Sequence, residues 1–357
     1  MSKDLRQFLQ MAKEAGPEFY VEVKKPLKPE FEKDVLQLKL TREGRCPVIY
    51  CPQIEGSKLP LVSNVYGSYE LLGLALGLDP KAATKSDIIR EYRVRRDAAM
   101  PYQEVPAAEA PVKEVILRGD DVDLGLLPLN LHAPLNSAKY VPIGHMICRD
   151  PDTGILNAGV YRHEVKGKNQ LGAMLVPSHH SRYIAMRNAE LGRPMEVAIF
   201  IGHHPAVTMA AIQFGSIDVN EMELMGGLLG ESLRVTPAET ADLPVPADAE
   251  IVLEGTLDPS TMTTDGPFSE WEGYYGIELK CYVVNINCMT MRREAIYNDL
   301  SPSQREHNVS GVLGNTSAVY DAVKSVVPTV REVHLPFSGR NSMIAYVSIA
   351  KRVSGEG

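Results

Sequence analysis

The chain has 357 residues, of which 44% are hydrophobic and 23% charged, an ordinary globular composition that excludes a disordered, collagen-like or low-complexity chain. At about 150 residues per domain, this length predicts two or three domains and a core that needs no disulfide or structural metal. Lysine and arginine number 37 against 45 aspartates and glutamates, a net charge of −8. Such a protein lacks the positive field that nucleic acid selects, so we expect no nucleic-acid partner.

Cysteine usage and the N-terminal residues bear on the compartment. The five cysteines are odd in number, scattered and without a C-x-x-C pair, which favours a reducing cytoplasm over a disulfide framework or a zinc ribbon. Charges occupy the N-terminus where a signal peptide needs an apolar stretch, and the longest apolar run, Leu71 to Leu78, is too short to cross a bilayer. We therefore expect a cytoplasmic protein with no membrane insertion.

Residues 1–112 mix helices with short strands and predict an N-terminal α/β domain. Apolar residues at helical spacing predict an amphipathic helix from Ser2 to Ala15, which Gly16 and Pro17 end. Further predicted elements are strands at Pro47–Cys51 and Leu61–Val65 and helices at Ser68–Leu78 and Ser86–Ala98. The proline- and alanine-rich segment 100–111 lacks apolar periodicity, which marks a domain boundary near residue 112.

Residues 113–308 are dominated by β-type segments and predict a β-barrel or sandwich with inserted helices. The predicted strands are Val141–Arg149, Ala158–Val165, Gln170–Val176, Met195–Gly202, Ile251–Leu257 and Leu279–Met291, and the predicted helices are His180–Leu191 and Val219–Leu233. Residues 309–357 predict a helix at Ser317–Val326 and strands at Glu332–Pro336 and Met343–Lys351. We interpret this last stretch as the beginning of a C-terminal α/β domain, apparently truncated, so the chain is expected to be a mixed α+β and α/β multidomain protein.

Familiar catalytic signatures are missing from the sequence. It contains no G-x-x-x-x-G-K-[ST], no G-x-G-x-x-G after a strand, no G-x-S-x-G and no H-E-x-x-H. ATP-driven, dinucleotide-binding, serine-hydrolase and zincin functions therefore lose their usual support.

Five stretches, in order along the chain, together resemble one family. They are Arg149–Arg162 (RDPDTGILNAGVYR), Leu175–Tyr183 (LVPSHHSRY), Val219–Met222 (VNEM), Glu254–Asp258 (EGTLD) and Asp265–Glu270 (DGPFSE). With these motifs the sequence resembles the UbiD-like decarboxylases, which use prenylated flavin mononucleotide (FMN). The resemblance is dense over residues 115–311 and loose in the N-terminal domain. It implies an α/β N-terminal domain, a central split β-barrel of the flavin-reductase type that binds the flavin, and a C-terminal α/β domain used for assembly.

The resemblance implies a metal site at Asn157, His180 and Glu221, which would hold a divalent cation, usually Mn²⁺, against the flavin phosphate. An oxygen and nitrogen donor set suits such a hard or borderline cation, and potassium is a further candidate ion. Each residue also has a structural explanation. Asn157 could end a turn, His180 could open the following helix, and Glu221 could complete a capping box begun by Asp218.

The resemblance also assigns the catalytic roles to Arg162, Asp265 and Glu270. In the family an arginine bridges two acidic residues beside the flavin, and the second acid, here Glu270, exchanges the proton for carbon dioxide. On residue types alone, an arginine and two carboxylates are more often a solvated surface network. Asp265 departs from the family pattern by one methylene, which leads us to expect a longer or water-mediated link to Arg162.

Motif position further implies which residues contact the flavin. Tyr161 and Met174 would otherwise be ordinary barrel core. The implied cofactor-binding residues are Asn157, Val160, Tyr161, Arg162, Met174, Leu175, Val176, His179, His180 and Glu221.

The implied function is reversible, non-oxidative decarboxylation of an aromatic, heteroaromatic or α,β-unsaturated carboxylic acid. The implied partners are a flavin prenyltransferase that supplies the cofactor and further copies of the chain, in a dimer or hexamer formed through the C-terminal domain. The alternative is a catalytically silent flavin- or metal-binding subunit of a larger carboxylase. Two features favour this alternative, the substitution at Asp265 and the end of the sequence at Gly357.

Three remaining motifs receive no role in this scheme. His203 and His204 are expected to be structural residues at a loop start. The glycine-rich stretch Met225–Gly230 lies in a helical pattern, where close helix packing is the expected use of glycine. Arg305 and His307 precede a predicted helix, and contact with a substrate and a place in a surface loop both remain open for them.

Overall fold

The computed structural model describes residues 3–352 and 354–355. Its helices are α1 (Leu5–Ala15), α2 (Glu32–Arg42), α3 (Tyr69–Ala75), α4 (Lys85–Arg96), α5 (His180–Glu190), α6 (Pro205–Ala211), α7 (Glu221–Leu229), α8 (Arg305–Ser310) and α9 (Val312–Val326). Its strands are β1 (Tyr20–Glu22), β2 (Val48–Cys51), β3 (Leu61–Ser63), β4 (Gln103–Glu104), β5 (Val115–Arg118), β6 (Tyr140–Arg149), β7 (Leu156–Gly167), β8 (Gln170–Ala173), β9 (Met195–Ile201), β10 (Arg234–Pro237), β11 (Pro244–Pro246), β12 (Ile251–Asp265), β13 (Leu279–Met291), β14 (Tyr297–Asn298), β15 (Val330–His334) and β16 (Tyr346–Ile349).

Six antiparallel strands close into a barrel in the order β12-β9-β6-β7-β8-β13, because β13 pairs again with β12. Strand β5 extends the sheet beyond β13. A smaller sheet, β1-β2-β3-β14, combines three strands of the N-terminal part with one that follows the barrel. Strands β4, β10 and β11 form a third sheet, and β15 pairs with β16. The predicted mixed α/β architecture with a central split barrel is confirmed.

Successive residues along the barrel strands point to opposite faces of the sheet, and both faces are buried. Met146, Ile199 and Val284 belong to a cluster inside the barrel. Ile147 and Phe200, one position further along their strands, belong to a second cluster that includes α1, α3, α6 and α7. The strands are therefore apolar on both faces, as expected for a barrel covered by helices.

Several predicted elements match the structure closely, and others differ for identifiable reasons. Strand β13 has the predicted bounds Leu279–Met291, and α5 begins at the predicted His180. Strand β12 runs past the predicted end at Leu257, because a bulge between Asp258 and Met262 interrupts the alternation while the pairing with β13 continues. The predicted start of the first helix at Ser2 lies outside the described residues.

Helices α2, α6 and α8 were not predicted, and the burial of the first two does not follow an amphipathic pattern. Helix α2 buries Lys33, Asp34 and Gln37 and leaves Val35 exposed, so apolar periodicity does not detect it. Helix α6 is buried at every position, so it has no amphipathic pattern. It begins at Pro205, and residues 203–204 therefore precede a helix and not a loop. Among the described residues, no helix is long and apolar enough to cross a membrane.

Candidate active site

One cluster of polar side chains forms where β7 begins and two helices start. Asn157 lies on β7, while His180 and Glu221 are the first residues of α5 and α7. The Glu221 carboxylate accepts hydrogen bonds from Nδ2 of Asn157 at 3.1 Å and from the backbone N–H of Ala158 at 3.2 Å. Nδ1 of His180 lies 3.9 Å from Oε1 of Glu221. The structure thus brings together the three residues that the motifs suggested as metal ligands.

The helix starts place these side chains. Asn220 caps α7, because its side chain accepts the backbone N–H of Met222. The predicted capping box from Asp218 is therefore wrong, and Glu221 is free to point at the cluster from the first helical position. His180 does open a helix, as its structural explanation proposed. Both helices present their N-terminal ends to the same place, which favours an anion there.

A line of hydroxyl groups orients Asn157, and sequence reasoning did not find it. Oγ of Ser181 donates to Oδ1 of Asn157 at 2.7 Å, and it lies 2.8 Å from the hydroxyl of Tyr161. A Cβ atom on Gly159 would collide with that tyrosine hydroxyl. Ser181 directly follows the histidine pair in the sequence, but a serine there carries no metal-ligating or acid–base signal of its own.

The electrostatics of the cluster fit a cation. Burial raises the pKa of Glu221 to about 7, and the hydrogen bonds from its own backbone N–H, Ala158 and Asn157 only partly oppose this rise. A buried carboxylate of this kind gains most from a positive ion beside it. Among the described residues, no site consists of three or more His, Cys, Asp or Glu side chains. The amide of Asn157 is thus needed to complete a three-residue donor set, and together with His180 and Glu221 it fits a divalent cation.

A cleft of about 230 Å³ opens beside this cluster. It contains the predicted Val160, Tyr161 and His179 together with the three candidate ligands, and residues 211–215 form another wall. Met174, Leu175 and Val176 do not line this cleft and lie between β8 and α5 instead. His179 connects the two regions, because its Nδ1 accepts the backbone N–H of Val176 at 3.2 Å.

A second cluster surrounds Arg162, five residues further along β7 and thus about 17 Å away if the strand is regular. Nε and Nη2 of Arg162 donate to Oδ1 of Asp265 at 2.9 and 2.6 Å, and Nη1 forms an ion pair with Oε1 of Glu270. The guanidinium carbon lies 4.6 Å from the ring centroid of Phe268. Val160, two residues before Arg162 and on the same side of the strand, links this cluster to the cleft.

The expectation of a long or water-mediated contact at Asp265 is wrong. The shorter side chain of Asp265 reaches Arg162 directly. It does so from the last position of β12, where Asp265 is completely buried. Burial raises the pKa of Asp265, although the positive charge of Arg162 acts in the opposite direction. Among the described residues, Oδ2 of Asp265 has no hydrogen-bond partner.

Glu270 lies in a tight loop after β12. Its backbone N–H donates to the carbonyl of Tyr274 at 2.8 Å, and the preceding N–H of Ser269 donates to Oδ1 of Asn136 at 2.9 Å. A Cβ atom on Gly276 would lie 2.8 Å from Oε1 of Glu270, so the glycine leaves room for the side chain. The Glu270 side chain is 28% exposed, unlike Asp265.

His307 lies near enough to Arg162 for the two groups to interact electrostatically. Burial lowers the pKa of His307 to about 4, and the charge of Arg162 adds to this effect. Nδ1 of His307 accepts the N–H of Ser303 at 3.3 Å, so the neutral ring carries its proton on Nε2. Its neighbour Arg305 is turned elsewhere, towards the carbonyl of Gly67 at 3.1 Å.

The chain is similar to known proteins over most of its length. Residues 103–305 match the sequence profile of the 3-octaprenyl-4-hydroxybenzoate carboxy-lyase Rift-related domain, UbiD, and residues 18–87 match the N-terminal domain of the same family. The anhydromevalonate phosphate decarboxylase of Methanothermobacter thermautotrophicus is 30% identical over 318 residues, which cover 89% of this chain and 72% of that protein. The phenolic acid decarboxylase of Sedimentibacter hydroxybenzoicus is 30% identical over 347 residues, covering 94% and 72%.

A solved structure is similar over nearly the whole chain. It is an evolved dimeric form of the UbiD-class enzyme HmfF from Pelotomaculum thermopropionicum in complex with prFMN, with a TM-score of 0.92 and 31% identity. The alignment covers 99% of this chain and 81% of that one. A profile match over more than half of the chain, relatives that are decarboxylases and the same fold lead to one conclusion: this chain belongs to the UbiD family of carboxy-lyases.

Proposed function

We propose that this chain catalyses the reversible, non-oxidative decarboxylation of an aromatic, heteroaromatic or α,β-unsaturated carboxylic acid with prenylated FMN. The observation that carries the proposal is the direct contact of Arg162 with both Asp265 and Glu270, on the strand that also carries Asn157. The prFMN complex of HmfF and the decarboxylase relatives support the cofactor and the reaction class. Because the three side chains are in contact, nothing in this cluster favours a silent subunit.

In this proposal Asn157, His180 and Glu221 would hold a divalent cation, Mn²⁺ first, next to the cofactor phosphate, and the monovalent K⁺ would be a further ion. The two helix N-termini and the cation would neutralise that phosphate. When bound, the prenylated flavin supplies the electron sink that makes loss of carbon dioxide feasible. The cofactor-binding residues proposed from the motifs are Asn157, Val160, Tyr161, Arg162, Met174, Leu175, Val176, His179, His180 and Glu221.

The proton transfer belongs to the second cluster. Glu270 is partly exposed and delivers the proton that replaces carbon dioxide, or removes it in the carboxylation direction. Arg162 fixes the direction of the Glu270 carboxylate, and Asp265 fixes Arg162. The neutral His307 can donate a hydrogen bond from Nε2 to a substrate oxygen.

We retain the proposed domains 1–112, 113–308 and 309–357, with the first two as the α/β and flavin-binding domains. Strand β14, which follows the barrel, pairs with β3 of the first domain, so these two domains share a sheet. We propose a homo-oligomer assembled through the third domain and a flavin prenyltransferase as cofactor supplier. The dimeric form of HmfF supports the first of these partners.

The function is tested by product hydrogen exchange. The protein is produced together with a flavin prenyltransferase and purified with its cofactor. Decarboxylated products of a panel of aryl, heteroaryl and unsaturated acids are then incubated with it in deuterium oxide, because exchange at the reacting carbon needs no favourable net equilibrium. We expect exchange with at least one product class. Full cofactor occupancy without exchange across the panel would contradict the proposal and favour a silent subunit.

A further inference from the structure

The loop that carries Glu270 has its own contacts with a distant part of the chain. The loop spans residues 268–276 and turns back at Gly273, whose φ is +92° and whose N–H donates to the carbonyl of Glu270 at 3.0 Å. This turn presents backbone groups to the turn between β15 and β16.

Arg340 packs directly against this turn. A Cβ atom built on Gly273 would collide with Nη2 of Arg340. The backbone conformation therefore favours glycine there, and alanine would have to displace the guanidinium that lies on it. Nη1 of Arg340 donates to Oδ1 of Asn308 at 3.4 Å. Nδ2 of Asn308 in turn donates to the backbone carbonyl of Trp271 at 2.8 Å. Arg340 and Asn308 therefore contact the loop on both sides of residue 272.

The position of Arg340 is itself well defined. It lies in the left-handed region at φ 53° and follows a short helical turn of residues 337–339. The side chain of the next residue, Asn341, donates to the carbonyl of Leu335 at 2.8 Å, and its backbone N–H donates to the carbonyl of Pro336 at 3.1 Å. These two bonds close the turn around Arg340 and so define the position of its backbone.

We propose that Arg340 is a positioning residue, which holds the loop 268–276 so that the Glu270 carboxylate meets Arg162. Arg340 touches neither Arg162 nor Glu270 in any hydrogen bond or ion pair of the described residues, so it acts through Gly273, Asn308 and the loop backbone. The importance of this arrangement for catalysis rests on the proposed function. The clamp, by which we mean the contacts of Arg340 that hold the loop 268–276, does not rest on it. An experiment can therefore contradict either one without contradicting the other.

The chain offers a direct probe of the loop, because Trp271 is its single tryptophan. We would measure acrylamide quenching of Trp271 fluorescence in the cofactor-loaded protein and hydrogen exchange of the backbone amides of 268–276. The variants are Arg340→Ala, which removes the guanidinium, and Gly273→Ala, which displaces it. The matched control is Arg331→Ala, an exposed arginine on β15 in the same part of the chain.

Both test variants should increase quenching and loop exchange at least about threefold, because local opening responds steeply to the loss of one or two stabilising contacts. The control should match the wild type. Arg340→Lys tests the clamp if Arg340→Ala does not fold, since lysine keeps the charge but lacks the planar fork. Unchanged quenching and exchange in folded Arg340 and Gly273 variants would overturn the proposal.

Turnover separates the clamp from the chemistry. If Glu270 is the proton donor, Arg340→Ala should lower kcat about tenfold or more with little change in KM, because a misplaced catalytic group affects the chemical step. Glu270→Gln should leave Trp271 quenching unchanged. A mobile loop with undiminished kcat would support the clamp and contradict the role of Glu270, whereas a rigid loop with reduced kcat would overturn the clamp.

Discussion

Asp265 and Glu270 bind the same arginine but occupy different environments. Asp265 is completely buried, and both of its bonds to Arg162 use Oδ1. The Glu270 side chain is 28% exposed and uses Oε1. An acid that exchanges its proton with a substrate must be reachable, so the accessible carboxylate suits proton transfer and the buried one suits orientation.

The first prediction follows from this difference. Glu270→Gln keeps the shape of the side chain but removes the carboxyl group that can donate and accept a proton, so product deuterium exchange should fall by about a hundred- to ten-thousand-fold while the flavin remains bound. Asp265→Asn should be milder, since it weakens the hold on Arg162 and leaves Glu270 in place. Near-normal exchange in Glu270→Gln together with collapse in Asp265→Asn would show that the two roles are reversed.

Glu221 gives a prediction at the other cluster. In Glu221→Gln a neutral amide oxygen replaces the carboxylate, so manganese and flavin should be lost together during gel filtration. Metal analysis and flavin absorbance of the eluted protein measure this. Glu223→Gln is the matched control, because it makes the same change two residues along α7, where the side chain contacts Asn220. Full manganese occupancy in Glu221→Gln would exclude Glu221 as a ligand.

Helix α7 reaches its position through close backbone packing. A Cβ atom on Gly227 would lie 2.7 Å from the carbonyl oxygens of Arg95 and Ala98, at the end of α4. On Gly226 it would lie 2.8 Å from the carbonyl oxygen of Met100. The glycine-rich stretch therefore serves helix packing, as its pattern suggested. Since α7 carries Glu221 at its first position, this packing also fixes the candidate metal site.

Gly227→Ala should therefore destabilise the protein by about 1–3 kcal/mol, the usual cost of overpacking a rigid contact. Thermal unfolding followed by circular dichroism measures it. Gly314→Ala in α9 is the control, because a Cβ atom there meets its neighbours at 3.4 Å, an ordinary contact. Alanine at that position should be neutral or stabilising. Equal melting temperatures for Gly227→Ala and the wild type would disprove the packing role.

Elements whose apolar residues follow a helical or β-type pattern could be predicted from the sequence, and others could not. Strand β13 alternates side-chain types and was found with its bounds. Helix α2 could not be predicted from apolar periodicity, because it buries Lys33 and Gln37, whose hydrogen-bond partners lie far along the chain. The residues of the candidate site also differ in whether a sequence pattern marks them. The ligand and acid types of the site stand in motifs, and Ser181 stands in one of them as well. The contacts of Arg340 with Gly273 and Asn308 are tertiary and leave no pattern in the sequence.

A buried polar network joins three parts of the molecule. Nζ of Lys33 on α2 lies 2.8 Å from Oδ2 of Asp299, which follows β14. Oε2 of Glu306 on α8 accepts from Gln37 of α2 at 3.2 Å and from the N–H of Ser301 at 3.3 Å. All five residues are almost completely buried. The network therefore connects α2 in the N-terminal part with the segment that follows β14 and with α8, which carries His307.

Glu306 makes the stability of the whole molecule depend on pH. Burial raises its pKa to about 7 from an ordinary value of 4.5, and the charge of Lys33 only partly opposes this. The folded protein therefore binds the Glu306 proton more tightly than the unfolded chain does. This group favours folding most at low pH, and its contribution falls as the pH rises from about 4.5 to about 7, beyond which it is constant.

Glu306→Gln removes this titration and keeps an oxygen that accepts the same hydrogen bonds. Relative to the wild type, the free energy of unfolding of the variant should rise with pH across this window by up to about 3 kcal/mol, since each pKa unit corresponds to about 1.4 kcal/mol. Urea denaturation at several pH values measures the difference, in which Glu221 cancels because both proteins contain it. The control is Glu43→Gln, the same change at an exposed glutamate. Parallel pH profiles for Glu306→Gln and the wild type would mean that Glu306 titrates alike in the folded and unfolded protein.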